Sequence, residues 1–328
     1  MGQVPRVHGA RLGLVQISLA GVLWGTGGLG VQVVREHVPM SVPTISAWRM
    51  AIAAVVLLGA LVVLRAGPAL GRLLRERPGR VVVVGCGTAA YQGLYFGAVV
   101  SAGVTVATVV SLGLAPVLLT LADAVRHRRP PGAGRVLVLL AALTGLVLVS
   151  LGAGHGASST GPQPALGVAL AVASGAAYAL ATALGEPLAR STGPLALTTA
   201  TTTVGALALL PFLALDAATG GVVTTAEPVP VAVLLYLGVL TMALAYGLLY
   251  AGLRTTDGSA AVVATLLEPV TAALVAAVVL DERVGTPGIV GTVLILAAVG
   301  GLGRRSPDAG GPLTPRAEPD RVPGLHRP

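Results

Sequence analysis

The chain has 328 residues, of which 54% are hydrophobic and only 10% are charged, against roughly 25% charged in an ordinary soluble domain. So few ionisable groups could not cover the surface of a water-soluble globule of this length, which argues against a soluble fold and for one that faces lipid. The 45 glycines and 23 prolines follow no short fixed period, and the high aliphatic content excludes collagen-like and disordered chains.

The net charge is +8, and all 21 basic residues are Arg. A nucleic-acid interface needs basic side chains clustered on a folded face with aromatic residues between them, and the loops offer neither, so no nucleic-acid partner is expected. Cys86 is the single cysteine, which excludes an intrachain disulfide and a cysteine-based metal site. The sequence contains no phosphate loop, serine nucleophile elbow or zinc pattern, so we expect no enzyme, no metal and no cofactor.

Ten apolar stretches lie between loops that carry Arg, Pro, Gly or Asp. About 20 apolar residues are needed to cross the roughly 30 Å hydrocarbon core of a bilayer, and the stretches are close to that length. They predict an all-α integral membrane protein with ten transmembrane helices. The predicted spans are Leu12–Val34, Val42–Leu64, Val81–Val99, Val104–Ala122, Val136–Leu151, Ala165–Leu184, Pro194–Leu215, Pro228–Leu253, Ser259–Leu280 and Gly285–Leu302.

The Arg residues are distributed unevenly between the two sides of the predicted membrane. Eighteen of the 21 lie in the N-terminus, in the loops after even-numbered spans and in the C-terminal tail, whereas Arg35 and Arg283 lie on the opposite side. Because cytoplasmic loops are enriched in basic residues, both termini of this multi-pass protein are predicted to be cytoplasmic. Residues 1–11 then form a cytoplasmic N-terminus, and residues 304–328, rich in Pro, Gly and Arg, form a disordered cytoplasmic tail.

Two short spacings predict local contacts. Asp123 precedes Arg126 and His127 by three and four residues, the spacing of neighbours on one helix face, so a local ion pair is predicted at the cytoplasmic edge. The motifs Gly21-x-x-x-Gly25 and Gly93-x-x-x-Gly97 permit close approach of helices within the membrane.

The two halves of the chain resemble each other at an offset of about 154 residues. The matched positions are Tyr91 and Tyr95 with Tyr246 and Tyr250, Trp24 with Tyr178, and Leu114–Val117 with Leu267–Val270. Each half contains five predicted spans, an odd number, so the second half enters the membrane from the opposite side. The expected domains are therefore two inverted repeats, residues 12–153 and 165–303. This construction is common in secondary transporters, which bind substrate near the membrane centre between the repeats.

A set of motifs accompanies this organisation. They are Trp24-Gly25, Arg49, Tyr95, Ala107–Val117 (ATVVSLGLAPV), Ala260–Val270 (AAVVATLLEPV) and Asp281-Glu282-Arg283. With them the chain resembles the EamA-like family of the drug/metabolite transporter superfamily. The resemblance implies a secondary transporter, often an exporter of amino acids, metabolites or drugs, with a central cavity between the repeats, in the inner membrane of a bacterium. One departure is that Arg128 and Arg129 stand where the first repeat of the family usually has an acidic residue.

Two charged residues lie inside predicted spans. Glu268 is about ten residues into the ninth span, near the bilayer centre, where a carboxylate is costly and where it could carry a proton or bind a substrate amine. The alternative is a structural Glu, hydrogen-bonded beside the backbone freed by Pro269. Arg49, in the second span, could bind a substrate carboxylate or pair with Glu268, and its alternative role is to position helices by bonding neighbouring carbonyls.

Aromatic residues form two stripes at helical spacing. Tyr91 and Tyr95 share one helix face, as do Tyr246 and Tyr250, and the repeat relates the two pairs. A hydroxyl buried in a membrane needs a partner, so these stripes predict a cavity lining, with packing or an interfacial aromatic belt as the alternative.

Further candidates flank these stripes. Gln92 could hydrogen-bond a substrate, and Trp24 and Tyr178 are matching aromatic candidates in the first and sixth spans. Pro116 and Pro269 each remove a backbone hydrogen bond at mid-depth, so the sequence predicts interrupted helices and candidate hinges there, with a static kink as the alternative.

Taken together, the sequence predicts a carrier that moves a small organic solute across the bilayer, outward, by alternating access between the repeats. Proton coupling through Glu268 is the expected mechanism, although a uniporter or exchanger fits the sequence almost as well. The alternative function is a flippase or binding protein for a lipid or lipid-linked intermediate.

Overall fold

The computed structural model describes residues 4–152, 163–279 and 285–304, and the regular elements in these ranges are helices. The helices are α1 (Val4–Gly25), α2 (Gly27–His37), α3 (Val42–Val63), α4 (Gly67–Glu76), α5 (Pro78–Ala102), α6 (Val104–His127), α7 (Ala133–Gly152), α8 (Pro164–Ser191), α9 (Pro194–Ala218), α10 (Pro228–Tyr236), α11 (Ala245–Gly252), α12 (Gly258–Ala264), α13 (Leu267–Val279) and α14 (Thr286–Arg304), with a π-helical segment, Leu237–Leu244, between α10 and α11. The Asp281-Glu282-Arg283 motif and the tail from residue 305 onward lie outside the described residues.

The helices confirm the predicted class of an all-α membrane protein. In the described ranges, nine helical stretches are long and apolar enough to cross a bilayer, and a shorter apolar helix, Thr286–Leu302, takes the place of the tenth span. The sixth span is longer than predicted, because α8 continues past Leu184 to Ser191. Between the second and third spans lies a helix the sequence analysis missed, α4, which buries Leu73.

Helix ends follow local chemistry. Ser41 caps α3 by accepting a hydrogen bond from the Thr44 amide at 3.2 Å, and Pro43 stands in its first turn. Gly103 joins α5 to α6 with a φ of +90°. This left-handed backbone is accessible to Gly at little cost, and it allows the third and fourth spans to reverse direction through a single residue.

Helix packing follows the symmetry of two inverted five-helix repeats. α5 of the first repeat packs on α8 of the second, and the equivalent contact joins α11 of the second repeat to α1 of the first. The contact of α6 with α8 likewise corresponds to that of α13 with α1. The second and seventh spans pack as α3 on α9, and the fifth and tenth as α7 on α14. Each repeat therefore completes the other, and the first and sixth spans meet the third, fourth, eighth and ninth near the centre.

The two repeats differ in how regular their helices are. The first span is divided at Thr26, the eighth contains the π-helical segment, and the ninth is divided at Thr265 and Leu266. Their counterparts in the other repeat, α8, α5 and α6, are continuous helices. The first span packs on both of the other irregular spans, so the departures from helical geometry are concentrated around it.

The predictions for the two prolines have different outcomes. The interruption expected at Pro116 is wrong, because α6 continues through this residue as one helix. Tertiary packing here outweighs the loss of one backbone hydrogen bond. At Pro269 the predicted interruption is confirmed, and the break lies just before it, with Pro269 in the first turn of α13, where a missing N–H costs little.

The two glycine motifs also differ. A Cβ on Gly21 would lie 3.1 Å from the Thr265 carbonyl oxygen, and one on Gly25 would lie 2.5 Å from the Glu268 carbonyl oxygen. The first motif therefore allows α1 to pack directly on the break in the ninth span. In the second motif only Gly97 lies at a close helix contact, since a Cβ there would be 3.2 Å from Leu170 Cδ1 of α8, whereas a Cβ on Gly93 would meet nothing within 4 Å.

Candidate substrate site between the repeats

Two aromatic pairs mark the centre of the molecule. The rings of Tyr91 and Tyr178 stack with centroids 4.9 Å apart and an interplanar angle of 25°. The rings of Trp24 and Tyr246 lie 5.0 Å apart at 58°. Because the repeat equates Tyr91 with Tyr246 and Tyr178 with Trp24, these are the same contact formed once by each repeat. Both distances lie in the range favoured by aromatic pairs.

A narrow cleft lies between these pairs. Its lining includes four of the predicted tyrosines, and its lining residues are Thr88, Tyr91, Tyr178, Ala181, Thr182, Tyr246, Leu249, Tyr250 and Leu253. The free space is about 10 Å³, which is room for a single water molecule. The structure therefore shows this cleft closed around its aromatic lining.

Tyr95 lies apart from the cleft, although it follows Tyr91 by one helical turn. Its hydroxyl is 2.9 Å from the Thr108 hydroxyl, and its ring packs against a small buried cluster that contains Ala98 and Ala107. The Tyr91 stripe thus begins at the cleft and ends in the contact between α5 and α6, while Tyr246 and Tyr250 both line the cleft.

The Tyr178 hydroxyl reaches the break in the ninth span. It lies 3.0 Å from the Thr265 hydroxyl, which donates to the Val262 carbonyl at 2.9 Å. Since a Thr hydroxyl has a single hydrogen, Tyr178 is the donor in the first bond. The continuous helix α8 is thereby tied to the point where α12 ends.

Glu268 lies three residues beyond that point, in the first turn of α13. A helix N-terminus favours negative charge, and Glu268 is half-buried. Among the residues that the structure describes, none forms an ion pair with Glu268. The Arg49 guanidinium interacts with it electrostatically from beyond ion-pair distance. A carboxyl at a helix break, without a bonded partner in the described chain, is available to a proton or a ligand.

Arg49 is buried, with 9% of its surface exposed. Its Nη2 donates to the Thr241 hydroxyl at 3.2 Å and approaches the Met242 sulfur at 3.7 Å. The direct pair with Glu268, one of the roles considered for Arg49, is not formed. Arg49 is anchored instead to the π-helical segment, and the π-helical geometry places Thr241 where a regular helix would place another residue.

Trp24 also bonds to Thr241. Its indole Nε1 donates to the Thr241 carbonyl at 2.9 Å, an oxygen within the π-helical segment. Thr241 therefore holds both a predicted cation and a predicted aromatic residue of the site, one through its side chain and one through its backbone.

Gln92 is 7% exposed, and neither its Nε2 nor its Oε1 has a partner among the described residues. Buried amides are nearly always hydrogen-bonded, so this one is unusual. It does not line the cleft, although its neighbour Tyr91 does. The structure thus places Gln92 beside the cleft rather than in it.

Sequence reasoning missed the threonines of this region. Thr241 anchors Arg49, Thr265 accepts from Tyr178, and Thr88 and Thr182 line the cleft. The available signal was their position, since Thr241 precedes Tyr246 by five residues and Thr265 precedes Glu268 by three. A hydroxyl in an apolar span is weakly informative, because it can bond to its own helix and pack as an apolar group.

A second cavity lies at the end of the molecule formed by α6, α7, α8 and α12, with a volume of about 480 Å³. The local ion pair predicted for Asp123 is wrong, because its carboxylate pairs with Arg135 at 3.3 Å. His127 bonds to the Asp123 backbone carbonyl at 2.8 Å. The chain reverses after α6 and brings Arg135, at the start of α7, back over the acid.

Known proteins are similar to this chain in sequence and in fold. The chain matches the EamA-like transporter family over residues 11–151 and 165–304. It is 30% identical to YwfM, an uncharacterized transporter of Bacillus subtilis, over 210 residues that cover 63% of this chain and 67% of that protein. It is 26% identical to YicL, an uncharacterized inner membrane transporter of Salmonella typhimurium, over 296 residues that cover 88% of this chain and 94% of that protein.

A solved crystal structure is similar with a TM-score of 0.71 at 21% identity, over 88% of this chain and 95% of the other, which supports the fold. Together with the family match, these similarities define a multi-pass membrane transporter of the drug/metabolite type. The chain belongs to the EamA-like transporter family.

Proposed function

We propose that this transporter is a secondary carrier that exports a small organic solute by alternating access and is coupled to protons through Glu268. The observation that carries the proposal is the position of Glu268 at the break between α12 and α13, with no ion pair to any described residue. A membrane-buried acid without a fixed partner can exchange a proton for a substrate, whereas an acid held in a permanent ion pair cannot.

The lining of the cleft supports an organic substrate. Tyr91, Tyr178, Tyr246 and Tyr250 offer ring faces and hydroxyls, which suit amino acids, metabolites or drugs with aromatic or cationic groups. Trp24 and Arg49 would join them through Thr241, and Gln92 would supply an amide once the cleft opens. Tyr95 would take part only if the contact between α5 and α6 also changes.

The closed cleft supports alternating access. A space of about 10 Å³ cannot hold a solute, so a carrier with this site has to open it to each side in turn. The repeats supply two related halves for this motion, and the break before Pro269 supplies a hinge. A hinge at Pro116 would have to bend a continuous helix.

The topology proposed with this function places both termini, including residues 1–11 and 304–328, in the cytoplasm of a bacterial cell with the protein in the inner membrane. The Arg distribution supports this orientation. The repeats would act as residues 12–153 and 165–303. We further propose that the chain transports without chemical conversion and is not an enzyme.

The test is transport in liposomes that contain the purified protein, with a pH gradient and a panel of amino acids, related metabolites and cationic drugs. We expect uptake of at least one class to require the gradient and to be lost in Glu268→Gln. Glu227→Gln is the matched control, because Glu227 is an exposed acid in the loop before α10.

Three results would contradict parts of the proposal. Gradient-driven transport that survives in Glu268→Gln would remove the proton role of Glu268. Transport that ignores the gradient would indicate a uniporter or exchanger. Folded protein that moves none of the solutes, but moves a fluorescent phospholipid between leaflets, would favour the lipid flippase.

A further inference from the structure

The cavity of about 480 Å³ faces the side of the membrane predicted to be cytoplasmic. It lies between the first repeat, which contributes the end of α6 and the start of α7, and the second, which contributes the end of α8 and the start of α12. Its floor approaches the aromatic cleft, since Thr120 lines the cavity and Leu119, next to it, packs with Tyr178. It is therefore placed as an entrance to the cleft from this side.

One residue joins the two repeats across this entrance. Arg135 of α7 pairs through Nη1 with Asp123 at 3.3 Å and through Nη2 with Asp257 at 2.9 Å. Asp123 and Arg135 belong to the first repeat, and Asp257 belongs to the second. The guanidinium uses both terminal nitrogens, so the two acids are bridged by a single cation.

Asp257 in turn fixes the outer end of α12. Its second carboxylate oxygen accepts from the Ala260 amide at 2.9 Å as the helix cap. The next residue, Gly258, donates its amide to the Glu186 carboxylate at 2.9 Å, and Glu186 also pairs with Arg190. Thus α7 and α8 both hold α12 at this end.

The inner end of α12 is the break at Thr265 and Leu266. Between its two ends, Val262 belongs to the same buried cluster as Leu119 and Tyr178. This cluster adjoins both spaces, because Tyr178 lines the aromatic cleft and Leu119 is next to Thr120, which lines the charged cavity. A short half-helix that is interrupted at one end and held by polar contacts at the other can pivot about the break.

We propose that α12 is the gate of the cleft on this side and that Arg135 is its latch. When the Arg135–Asp257 pair separates, α12 turns about Thr265, Val262 leaves Leu119, and the cleft opens into the cavity. The proposal deepens the transporter function proposed above and rests on it.

The strength of the latch suits a reversible gate. The side chains of Arg135, Asp123 and Asp257 are 40%, 33% and 41% exposed, and ion pairs exposed to this degree contribute weakly to stability. A weak latch biases an equilibrium between two states without preventing the exchange between them.

The test measures access to the cleft directly. In a Cys86→Ala background, Thr182→Cys places a thiol in the closed cleft, where Thr182 is 4% exposed and lies beside Gly258. Vesicles of known orientation are treated on the predicted cytoplasmic side with a membrane-impermeant maleimide. We expect Arg135→Gln to raise the labelling rate by about threefold to tenfold, as the loss of two weak ion pairs allows. Arg135→Lys should lie closer to the parent.

Arg129→Gln is the matched control. Arg129 lines the same cavity and is exposed, but it forms no ion pair with any described residue. Arg129→Gln removes the same charge as Arg135→Gln. A labelling rate of Arg129→Gln near that of the parent would therefore show that the increase in Arg135→Gln comes from the loss of the latch. If Arg135→Gln fails to fold, Asp123→Asn removes one of the two pairs and should give a smaller increase.

Equal labelling of Arg135→Gln and the parent would overturn the latch, and so would equal increases in Arg135→Gln and Arg129→Gln. Transport by the parent protein in liposomes is measured separately. A labelling response in protein that transports no solute would support the gate and count against the proposed substrates. Transport without a labelling response would leave the carrier and remove the latch.

Discussion

The Tyr178 hydroxyl donates a hydrogen bond to the Thr265 hydroxyl across 3.0 Å, which connects a continuous helix of the second repeat to the break in its ninth span. Tyr178 also stacks on Tyr91 of the first repeat. A single side chain is therefore in contact with the cleft, with the opposite repeat and with the end of the proposed gate. We therefore expect a ligand that displaces the Tyr178 ring to break its hydrogen bond to Thr265.

Removing this hydrogen bond should uncouple the cleft from the break. In Tyr178→Phe the ring remains stacked on Tyr91, whereas Thr265 keeps its bond to Val262. We expect a loss of about 0.5–1.5 kcal/mol in the free energy of unfolding, together with a change in the KM for transport. Tyr236→Phe is the control, because Tyr236 bonds to Thr26 outside the cleft. A similar shift in KM for both variants would contradict the role of Tyr178.

The anchoring of Arg49 makes a separate prediction about stability. Thr241→Val is nearly isosteric but removes the hydroxyl that accepts from Nη2, leaving the buried cation with the Met242 sulfur. Hydrogen bonds to charged groups contribute about 1.5–3 kcal/mol, so we expect the free energy of unfolding to fall by that amount. Thermal unfolding of the purified protein measures this change. Thr241→Ser should restore most of the lost stability.

Thr202→Val provides the comparison for this variant. Thr202 is also buried, but its hydroxyl bonds to the Thr198 carbonyl of its own helix at 2.7 Å. The loss should be smaller, because no charged group depends on that hydroxyl. Equal losses for Thr241→Val and Thr202→Val would show that Arg49 does not depend on Thr241.

Proton coupling predicts a division between two kinds of transport. Glu268→Gln cannot release a proton, so net transport driven by a pH gradient should be lost. Exchange of labelled for unlabelled solute requires no net proton movement and should persist, measured in the same liposomes without a gradient. Loss of both activities in a folded Glu268→Gln protein would assign Glu268 to substrate binding rather than to coupling.

Much of the fold could be predicted from the sequence, because hydropathy and charge report directly on what contacts lipid and water. The offset between the halves also matched Tyr91 with Tyr246 and Tyr178 with Trp24. The ring contacts of Tyr91 with Tyr178 and of Tyr246 with Trp24 were found only in the structure. The breaks in the first and eighth spans could not be predicted. They carry no Pro signal, and their geometry depends on tertiary contacts such as Trp24 with the Thr241 carbonyl.

The sequence identified the aromatic and charged residues of the candidate site, but it did not predict the hydrogen bonds and ion pairs that connect them. Sequence spacing favoured Arg126 or His127 as the partner of Asp123, since they follow it by three and four residues on one helix. The structure selects Arg135 because α6 ends at His127, and the next residue, Arg128, has a φ of +51° that turns the chain back toward α7. Helical periodicity predicts contacts within one helix, and it cannot predict a contact that depends on how the following loop reverses the chain.

The packing of α1 on the ninth span makes the most direct prediction about stability. A Cβ on Gly25 would lie 2.5 Å from both the Glu268 carbonyl oxygen and the Thr271 Cβ. Backbone cannot move away as a flexible side chain can, so Gly25→Ala should cost about 1–3 kcal/mol of stability through overpacking. It should also displace Glu268 and reduce transport in the fraction that folds.

Gly93→Ala is its matched control, because Gly93 also lies within a membrane helix and a Cβ there would meet nothing within 4 Å. Ala is favoured over Gly inside a helix by roughly 0.5–1 kcal/mol, so this variant should be as stable as the parent or slightly more so. The measurement is thermal unfolding of both variants in the same detergent. If Gly25→Ala unfolds at the same temperature as Gly93→Ala, α1 does not pack on the break as closely as the structure has it, and the environment of Glu268 is more open.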